Sequence, residues 1–405
     1  MPAAILHVIR SVNPVLGGPV EVVRQLSLAH REMGVRVEVA TLDVPKAAWA
    51  RAFPGGVHAL GERDSFTGYG FSKKFAPWLK ENRGRFDAVI THGLWQYHNY
   101  GAWQALRGTE TPYYVFPHGM LDPWFKAAYP VKHFKKRIYW LLRERRVLRD
   151  AAAVLFTCEE ERRLAAGTFA PHAGNEKVVP LGIAPPSPRL GGVVALRTQF
   201  FEKFPRYLDR RILLFMGRLH DKKGCEMLIE AFGKIAGRID PSYHLAMAGP
   251  CDDRDYLQKL IGMAESQCPA GSVSFPGMLA GEIKWGAFHG AEAFILPSHQ
   301  ENFGIAVVEA LACGVPVLIS NKVNIWREIT DDGAGLAEAD DAGGTLSLLD
   351  RWTQMSDSGR EEMRKAALAC FTNRFQIEKT ARELLALIAV PGKKADPTDV
   401  ATHPA

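Results

Sequence analysis

Two glutamates, Glu301 and Glu309, lie eight positions apart on either side of a Phe-Gly pair. Glu301 falls in a turn-rich loop, whereas Glu309 falls inside an apolar helical run that follows Gly304. The free N–H groups at the start of a helix attract anions such as phosphate, and carboxylates accept hydrogen bonds from hydroxyl groups. The segment therefore indicates a site for a charged, polyhydroxylated ligand. An amphipathic helix with two solvated glutamates is the alternative when the segment is taken by itself.

Two basic residues, Arg218 and Lys223, lie in a glycine-flanked loop that follows an apolar strand. Arginine binds phosphate through two hydrogen bonds, whereas lysine acts as a point charge. The loop is accordingly predicted to bind an anion, with a solvated basic turn as the alternative. Lys222 is adjacent to Lys223, and the spacing alone leaves open which of the two lysines faces the ligand.

A pair of glycines, Gly17 and Gly18, follows the first predicted strand and precedes a helical pattern. Without side chains, they allow the backbone to approach a ligand closely, although a plain turn would have the same composition. The spacing after this strand is not G-x-G-x-x-G, which excludes the dinucleotide-binding fingerprint of dehydrogenases.

Two histidines, His92 and His118, each end a predicted strand in the first half of the chain. A lone histidine is often structural. For His92 two roles are equally open: contact with a second substrate that acts as an acceptor, or a structural role. Trp95 and Tyr97 follow His92 directly, in a short aromatic cluster. Such rings stack on sugar faces, but core packing explains them equally well.

Short apolar strands alternate with helical patterns along most of the chain, which predicts parallel sheets. The predicted strands span 4–10, 35–40, 57–60, 88–91, 113–116 and 153–157 in the first half, and 212–216, 244–248, 273–275, 293–296 and 315–319 in the second. The chain is therefore predicted to form two α/β halves in tandem. Ligands of such folds bind beyond the carboxyl ends of the strands, so the expected site is the cleft between the halves.

The proline-rich segment 180–188 cannot continue a helix or a central strand, and it is predicted to be the linker between domains. The predicted domains span 1–185 and 186–370. A helix within 371–390 is expected to return to the first domain. Residues 391–405 are polar and contain proline, which predicts a disordered tail.

Composition is that of a globular protein, with 47% hydrophobic and 23% charged residues in 405. The net charge of +6 is too small to indicate nucleic acid as a partner. Six scattered cysteines without a C-x-x-C pair argue against a zinc site or a disulfide scaffold and predict a reducing cytoplasm. No signal peptide is predicted, and no run approaches the ~20 apolar residues of a membrane span.

The basic segment, residues 132–149, carries eight lysines and arginines against the single acid Glu144, with aromatic residues between them. Basic and aromatic residues on one helix suit an anionic lipid surface. The segment predicts peripheral attachment to the inner face of the cytoplasmic membrane. An ordinary amphipathic helix with a solvated face is the alternative.

The motifs together resemble those of retaining glycosyltransferases of the GT-B fold, in family GT4. The resemblance covers nearly the whole chain, and four elements occur in the family's order. They are Gly17-Gly18, Pro117-His118-Gly119, Gly217-Arg218 with Lys223-Gly224, and Glu301-x7-Glu309. The resemblance implies an α/β chain of two Rossmann-like domains that face each other across an interdomain cleft.

The resemblance assigns Arg218 and Lys223 to the diphosphate of a nucleotide-sugar donor, and it favours Lys223 over Lys222 because the family's lysine directly precedes the glycine. Glu309 would bind the ribose hydroxyls. Glu301 would contact hydroxyls of the transferred sugar, and His118 would lie near the anomeric centre.

The remaining donor contacts implied by the resemblance are made largely by the backbone. Gly17 and Gly18 would lie at the leaving phosphate, and Met278 and Leu279 at the nucleobase. N–H groups beside Glu301 would complete the sugar site, and they belong to Asn302, Phe303 and Gly304. Because base contacts through the backbone do not select a base, UDP and GDP are both open.

The resemblance further implies hexose transfer with retention, to a saccharide or lipid-linked saccharide in polysaccharide or lipopolysaccharide biosynthesis. Retention in the family is explained by front-side attack with the leaving phosphate taking the acceptor proton, so no covalent intermediate is expected. No cofactor is expected either, and no essential metal, because the chain lacks an Asp-x-Asp motif between a strand and a loop of its first half. Another GT-B enzyme, such as a nucleotide-sugar epimerase, and a non-catalytic nucleotide-binding scaffold are the alternatives. All the motif residues are present together in this chain, which argues against the scaffold.

Overall fold

The computed structural model describes residues 4–62, 68–124, 126, 130–169, 175–186 and 191–388. The chain forms two compact units. The first unit comprises Met1–Phe156, Ala165–Val179 and Ile377–Ala405, and the second comprises Thr157–Leu164 and Pro180–Gln376. The predicted disordered tail and part of the predicted linker lie outside the described residues.

A parallel sheet of seven strands forms the centre of the described part of the first unit, in the order β3-β2-β1-β4-β5-β6-β7. Its strands are β1 (Ala4–Ile9), β2 (Arg36–Thr41), β3 (Val57–Ala59), β4 (Ala88–His92), β5 (Tyr113–Phe116), β6 (Ala153–Phe156) and β7 (Glu176–Val178). Order reverses between β1 and β4, so the loops that follow these two strands diverge and leave room for a ligand.

Helices connect the strands of this sheet. They are α1 (Gly18–Glu32), α2 (Ala48–Ala52), α3 (Phe75–Asn82), α4 (Tyr97–Leu106), α5 (Pro130–Tyr139), α6 (Arg145–Arg149) and α7 (Glu159–Ala166). Trp103 and Trp140 join the buried faces of the strands in one apolar core.

The second unit has a parallel sheet of six strands among the described residues, in the order β10-β9-β8-β11-β12-β13. Its strands are β8 (Arg211–Met216), β9 (Tyr243–Ala248), β10 (Val273–Gly277), β11 (Ala291–Leu296), β12 (Val317–Ser320) and β13 (Gly335–Glu338). The order reverses again, here between β8 and β11.

The helices that flank this sheet are α8 (Gly192–Lys203), α9 (Cys225–Ala236), α10 (Arg254–Gln267), α11 (Gly281–Gly290), α12 (Ile305–Ala312), α13 (Trp326–Asp331), α14 (Ala342–Gln354) and α15 (Asp357–Cys370). The last helix among the described residues, α16 (Ile377–Ile388), belongs to the first unit. α16 packs against α1, where His30 Nε2 lies 3.1 Å from the carbonyl oxygen of Ala381.

Two edge strands, β7 and β13, were not predicted from the sequence. Edge strands bury less surface than central strands, so a Glu-Lys-Val or Gly-Leu-Ala-Glu segment serves there without an apolar run. The central strands, which are buried on both faces, carry the apolar runs that the sequence analysis detected.

A π-helical turn, Trp140–Glu144, interrupts the helical segment between α5 and α6 and turns Glu144 into the interior. Asn99 Nδ2 donates to Glu144 Oε1 across 3.2 Å. Burial raises the pKa of Glu144 to about 7, although hydrogen bonds from Asn99 and the Trp95 backbone oppose the shift.

Glu144→Gln is expected to flatten the pH dependence of stability. Because the native pKa lies above the unfolded value, the native state holds the proton more tightly, and stability falls as pH rises from about 4.5 to 7. The loss amounts to at most about 3 kcal/mol. Urea unfolding at pH 5 and pH 8 measures this loss. An equal change in unfolding free energy between the two pH values in the wild type and in Glu144→Gln would contradict the prediction.

Candidate functional site

The loops that follow β8 and β11 meet at the carboxyl edge of the second sheet. Gly224 has φ +69°, and a Cβ at this position would lie 2.3 Å from the carbonyl oxygen of Pro297. The carbonyl of Lys222 accepts hydrogen bonds from His299 N at 2.8 Å and from Ser298 Oγ at 3.0 Å. Glycine is therefore required at 224, for its conformation and for its lack of a side chain.

This contact places Lys223 beside Glu301, although 78 positions separate them. The lysine Nζ donates to the carboxylate, and both side chains are about one-fifth exposed. Backbone hydrogen bonds with Lys322 and Asn324 hold Glu301. A cation and an anion thus neutralise each other at this edge of the second sheet.

Arg218, in the same loop as Lys223, is half exposed. Its Nη1 lies 3.4 Å from a carboxylate oxygen of Asp252, which is itself largely exposed. Such an exposed pair contributes little stability, so the guanidinium can exchange Asp252 for another anion at small cost.

The residues after Glu301 fix the start of α12. Asn302 Nδ2 donates to Thr157 Oγ1 at 3.1 Å, and Phe303 packs edge-on against Phe375 in the interior. Gly304, at φ +72°, begins α12 without a side-chain cap. The side chains of Asn302 and Phe303 are therefore used for structure, so any ligand contact of this segment would be made by its backbone N–H groups.

Glu309 lies on α12 and pairs with Lys284 of α11 at 2.6 Å. The side chains are 11% and 24% exposed, and the ammonium group also lies 4.5 Å from the ring centroid of Trp285. Sequence analysis missed Lys284, because a pairing between two helices separated by a strand leaves no signature in local spacing.

Met278 and Leu279 follow the edge strand β10, at the same edge of the sheet as the loops of β8 and β11. Met278 is 73% exposed, whereas Leu279 is buried. Two strands separate β10 from β11 in the sheet, so these residues are not brought together with Glu301.

Gly17 and Gly18 form the start of α1 in the first unit, directly after the turn that follows β1. Gly17 has φ +81°, and a Cβ there would meet no atom within 4 Å. Its conformation, not a lack of space, is what favours glycine. The start of α1 has no side-chain cap, as at α12.

His118 and His92 are brought together at the carboxyl ends of β5 and β4. Nε2 of His118 lies 3.0 Å from Nδ1 of His92. His92 is only 1% exposed, which fits the structural role that the sequence left open better than contact with an acceptor. Burial lowers the pKa of His118 to about 3, so its imidazole is neutral.

The two aromatic residues after His92 differ in exposure. Tyr97 is buried and packs against Tyr69, Phe71 and Phe75, which makes it part of the core. Trp95 is partly exposed and has φ +70°, a conformation uncommon for a residue with a side chain. Of His92, Trp95 and Tyr97, only Trp95 is partly exposed, and its ring packs against Tyr139, Trp140 and Phe169.

No group of three histidine, cysteine, aspartate or glutamate side chains in the described part of the chain is arranged to hold a metal ion.

Comparison with known proteins identifies both halves. The profile of the glycosyl transferase 4-like domain matches residues 17–182, and that of glycosyl transferases group 1 matches residues 197–369. A GDP-mannose:cellobiosyl-diphosphopolyprenol alpha-mannosyltransferase from Xanthomonas campestris is 27% identical over 354 residues, 82% of each chain. Four other relatives, 31 to 37% identical, are matched over about a third of their own length.

Solved structures show the same architecture. Sucrose-phosphate synthase from Thermosynechococcus elongatus has a TM-score of 0.74 and 20% identity, covering 95% of this chain and 98% of that one. Anabaena HepE in complex with UDP and glucose has a TM-score of 0.72 and 15% identity, covering 95% and 98%. Two parallel α/β units of this kind define the GT-B fold. The chain belongs to the glycosyltransferases of this fold, with a group 1 domain in its second half.

Lys284→Met is expected to destabilise the protein by about 1–3 kcal/mol, because it leaves the nearly buried Glu309 carboxylate without its cation. Thermal and urea unfolding measure the loss. The matched control is Lys259→Met, which removes an exposed pair with Glu226 and should cost less than about 1 kcal/mol. Equal losses in the two variants would contradict the assigned role of Lys284.

Proposed function

We propose that the protein is a retaining glycosyltransferase that moves a hexose from a UDP- or GDP-linked sugar to a saccharide or lipid-linked saccharide during polysaccharide or lipopolysaccharide biosynthesis. The contact that brings Lys223 to Glu301 at the carboxyl edge of the second sheet carries the proposal. It sets a cation of the kind that binds phosphate beside a carboxylate of the kind that accepts hydrogen bonds from hydroxyls, and a nucleotide sugar would need both groups.

Breaking the bond between the sugar and the diphosphate builds negative charge on the diphosphate. Fixed cations and backbone dipoles stabilise that charge best when they are already in place. Arg218 and Lys223 would supply the cations in the second unit, and the uncapped start of α12 would supply N–H groups. These two protein cations would perform the neutralisation that a metal ion performs in other enzymes, which supports the proposal of a metal-independent reaction.

Retention is proposed on the resemblance to family GT4, and the pairing of Glu301 argues only against a covalent glycosyl-enzyme intermediate. Glu301 is paired with Lys223, which lowers its nucleophilicity and fixes its orientation. Attack of the acceptor hydroxyl on the face of the leaving group, with the departing phosphate taking the proton, requires no protein nucleophile.

Two observations support a nucleotide-sugar donor without choosing the base. The Xanthomonas relative is named for GDP-mannose, and the Anabaena structure contains UDP and glucose. The name of the same relative specifies a diphosphopolyprenol acceptor, which favours a lipid-linked saccharide as the acceptor class here.

A thermal-shift panel of UDP, GDP, ADP and dTDP is expected to show preferential stabilisation by UDP or GDP, with and without magnesium. Saturation at about 100 Kd should raise the unfolding free energy by about 2.7 kcal/mol. Arg218→Ala should abolish most of the shift, because it removes a two-hydrogen-bond contact to the diphosphate.

Glu301→Gln serves as a control in the same panel, because its nucleotide-induced thermal shift should not decrease as it does in Arg218→Ala. It frees Lys223 from its carboxylate, so the nucleotide diphosphates should bind at least as tightly as they bind to the wild type, while transfer of the sugar is lost. Binding of a nucleotide without turnover would indicate a scaffold, and conversion of the sugar without an acceptor would indicate an epimerase. A product with the inverted anomeric configuration would exclude retention. No shift with any nucleotide would contradict the donor site.

The basic segment supports the proposed location at a membrane surface. Five apolar side chains, four in the basic segment and one directly before it, face solvent instead of the core, and they form the apolar stripe: Val131, Phe134, Ile138, Leu141 and Leu142. Exposed basic residues lie among them, including Lys135, Arg137, Arg145 and Arg146. An apolar stripe flanked by cations suits the boundary between anionic headgroups and acyl chains. In the described residues, no helix has the length and apolar composition to cross a bilayer.

The protein is expected to co-sediment with vesicles of equal phosphatidylglycerol and phosphatidylcholine, and less with phosphatidylcholine alone or at 0.5 M salt. Phe134→Ser combined with Leu141→Ser should weaken binding, as should Lys135→Glu combined with Arg137→Glu, each by roughly tenfold or more. Leu208→Ser removes a comparably exposed apolar residue in the second unit and should change nothing. Binding that survives both double variants would exclude this surface.

A further inference from the structure

Three histidines form a hydrogen-bonded row across the first sheet. Nδ1 of His7 lies 2.9 Å from Nε2 of His92, and Nδ1 of His92 lies 3.0 Å from Nε2 of His118. His7 lies within β1, His92 ends β4 and His118 follows β5, so the row runs from the interior of the first sheet to its carboxyl edge. His7 and His92 are buried, whereas His118 is partly exposed.

The row couples the tautomers of its members. A neutral imidazole has one N–H donor and one bare acceptor nitrogen, so each contact between two rings needs a donor on one side. Only two arrangements satisfy both contacts. In one, every Nδ1 carries the proton and donates toward His118; in the other, every Nε2 carries it and donates toward His7. Burial lowers the pKa of His7 and of His118 to about 3 and that of His92 well below its ordinary value, so all three rings are neutral.

The far end of the row distinguishes the two arrangements. Nε2 of His7 is buried without a hydrogen-bond partner among the described residues. With protons on Nε2, it would be a buried N–H without an acceptor. With protons on Nδ1, it is a bare nitrogen. Orphaned buried N–H groups are rarer in proteins than under-used acceptors.

Two neighbouring histidines already have a bare nitrogen in the interior. Nε2 of His98 lies 2.9 Å from the carbonyl of His92, and Nε2 of His30 lies 3.1 Å from that of Ala381. A carbonyl only accepts, so each Nε2 must be the donor. Nδ1 of both rings, buried and without a partner in the described structure, is therefore bare.

We infer that His7 and His92 are positioning residues that hold His118 in the tautomer with the proton on Nδ1. Nε2 of His118 is then occupied as the acceptor from His92. Nδ1, for which no partner is recorded among the described residues, is left as a fixed N–H donor. His118, held at φ +51°, would thus donate to a hydroxyl oxygen of the bound sugar and could not accept the proton of the acceptor hydroxyl. The tautomer stands independently of the proposed function, whereas its catalytic consequence rests on it.

Nitrogen-15 NMR of histidine-labelled protein tests the tautomer directly, with the His118 signals identified by their loss in His118→Gln. The expected spectrum shows a protonated Nδ1 and a bare Nε2 on His118, unchanged between pH 5.5 and 8. A protonated Nε2 on His118 would overturn the inference, as would a titration to the doubly protonated ring in this range.

Substitution of His92 tests the consequence. His92→Phe keeps the ring shape but removes the donor, so kcat should fall roughly tenfold, the equivalent of about one hydrogen bond, with little change in KM. His92→Asn places an amide N–H near the position of Nδ1 and should recover most of the loss. Equal losses in the two variants, or a loss confined to KM, would contradict a positioning role.

The two assignments fail separately. Full activity in His118→Ala would remove His118 from the proposed reaction and leave the tautomer intact. An inactive His118→Ala together with a protonated Nε2 in the wild-type spectrum would refute the inference and leave the proposed function intact. Because the spectrum is recorded on the wild type, a failure of His92→Phe to fold does not affect that result.

Discussion

The close approach of Gly224 to the carbonyl of Pro297 is the constraint on which the second unit's site depends. Any side chain at this position would separate the loop after β8 from the loop after β11. The hydrogen bonds to the Lys222 carbonyl, and the meeting of Lys223 with Glu301, would then be lost together. One glycine thus joins two motifs that are distant in sequence.

Internal ion pairs set the electrostatics at the carboxyl edge of the second sheet. Lys223 is neutralised by Glu301, and Glu309 by Lys284. A bound nucleotide sugar would replace the partners within these ion pairs. Its phosphates would take the place of a carboxylate beside the lysine, and its hydroxyls would hydrogen-bond to the carboxylates released. Such an exchange would leave each cation paired with an anion and each carboxylate hydrogen-bonded, which limits the desolvation penalty of binding.

Local patterns made the central strands and the motif positions predictable, because apolar runs, glycine turns and helix starts are written in neighbouring residues. Pairings across the sheet were not predictable in the same way. The row from His7 to His118 joins three strands, and Lys284 reaches Glu309 from another helix. The spacing of the basic segment likewise indicated an amphipathic helix, but only the packing of Trp140, Val147 and Leu148 into the core reveals which face is left outside. The edge strands β7 and β13 escaped detection because they bury too little to need an apolar run.

The packing of α16 on α1 has a consequence for biosynthesis. The ribosome makes α1 near the beginning of the chain and α16 only after the whole second unit. The surface of α1 around His30 therefore stays uncovered while the second unit emerges, and the nascent first unit cannot complete its packing on its own. Domains of nascent chains generally fold in order from the N-terminus. Here the order of completion is reversed: the second unit can close first, and the last turns of α16 seal the domain that was begun before it.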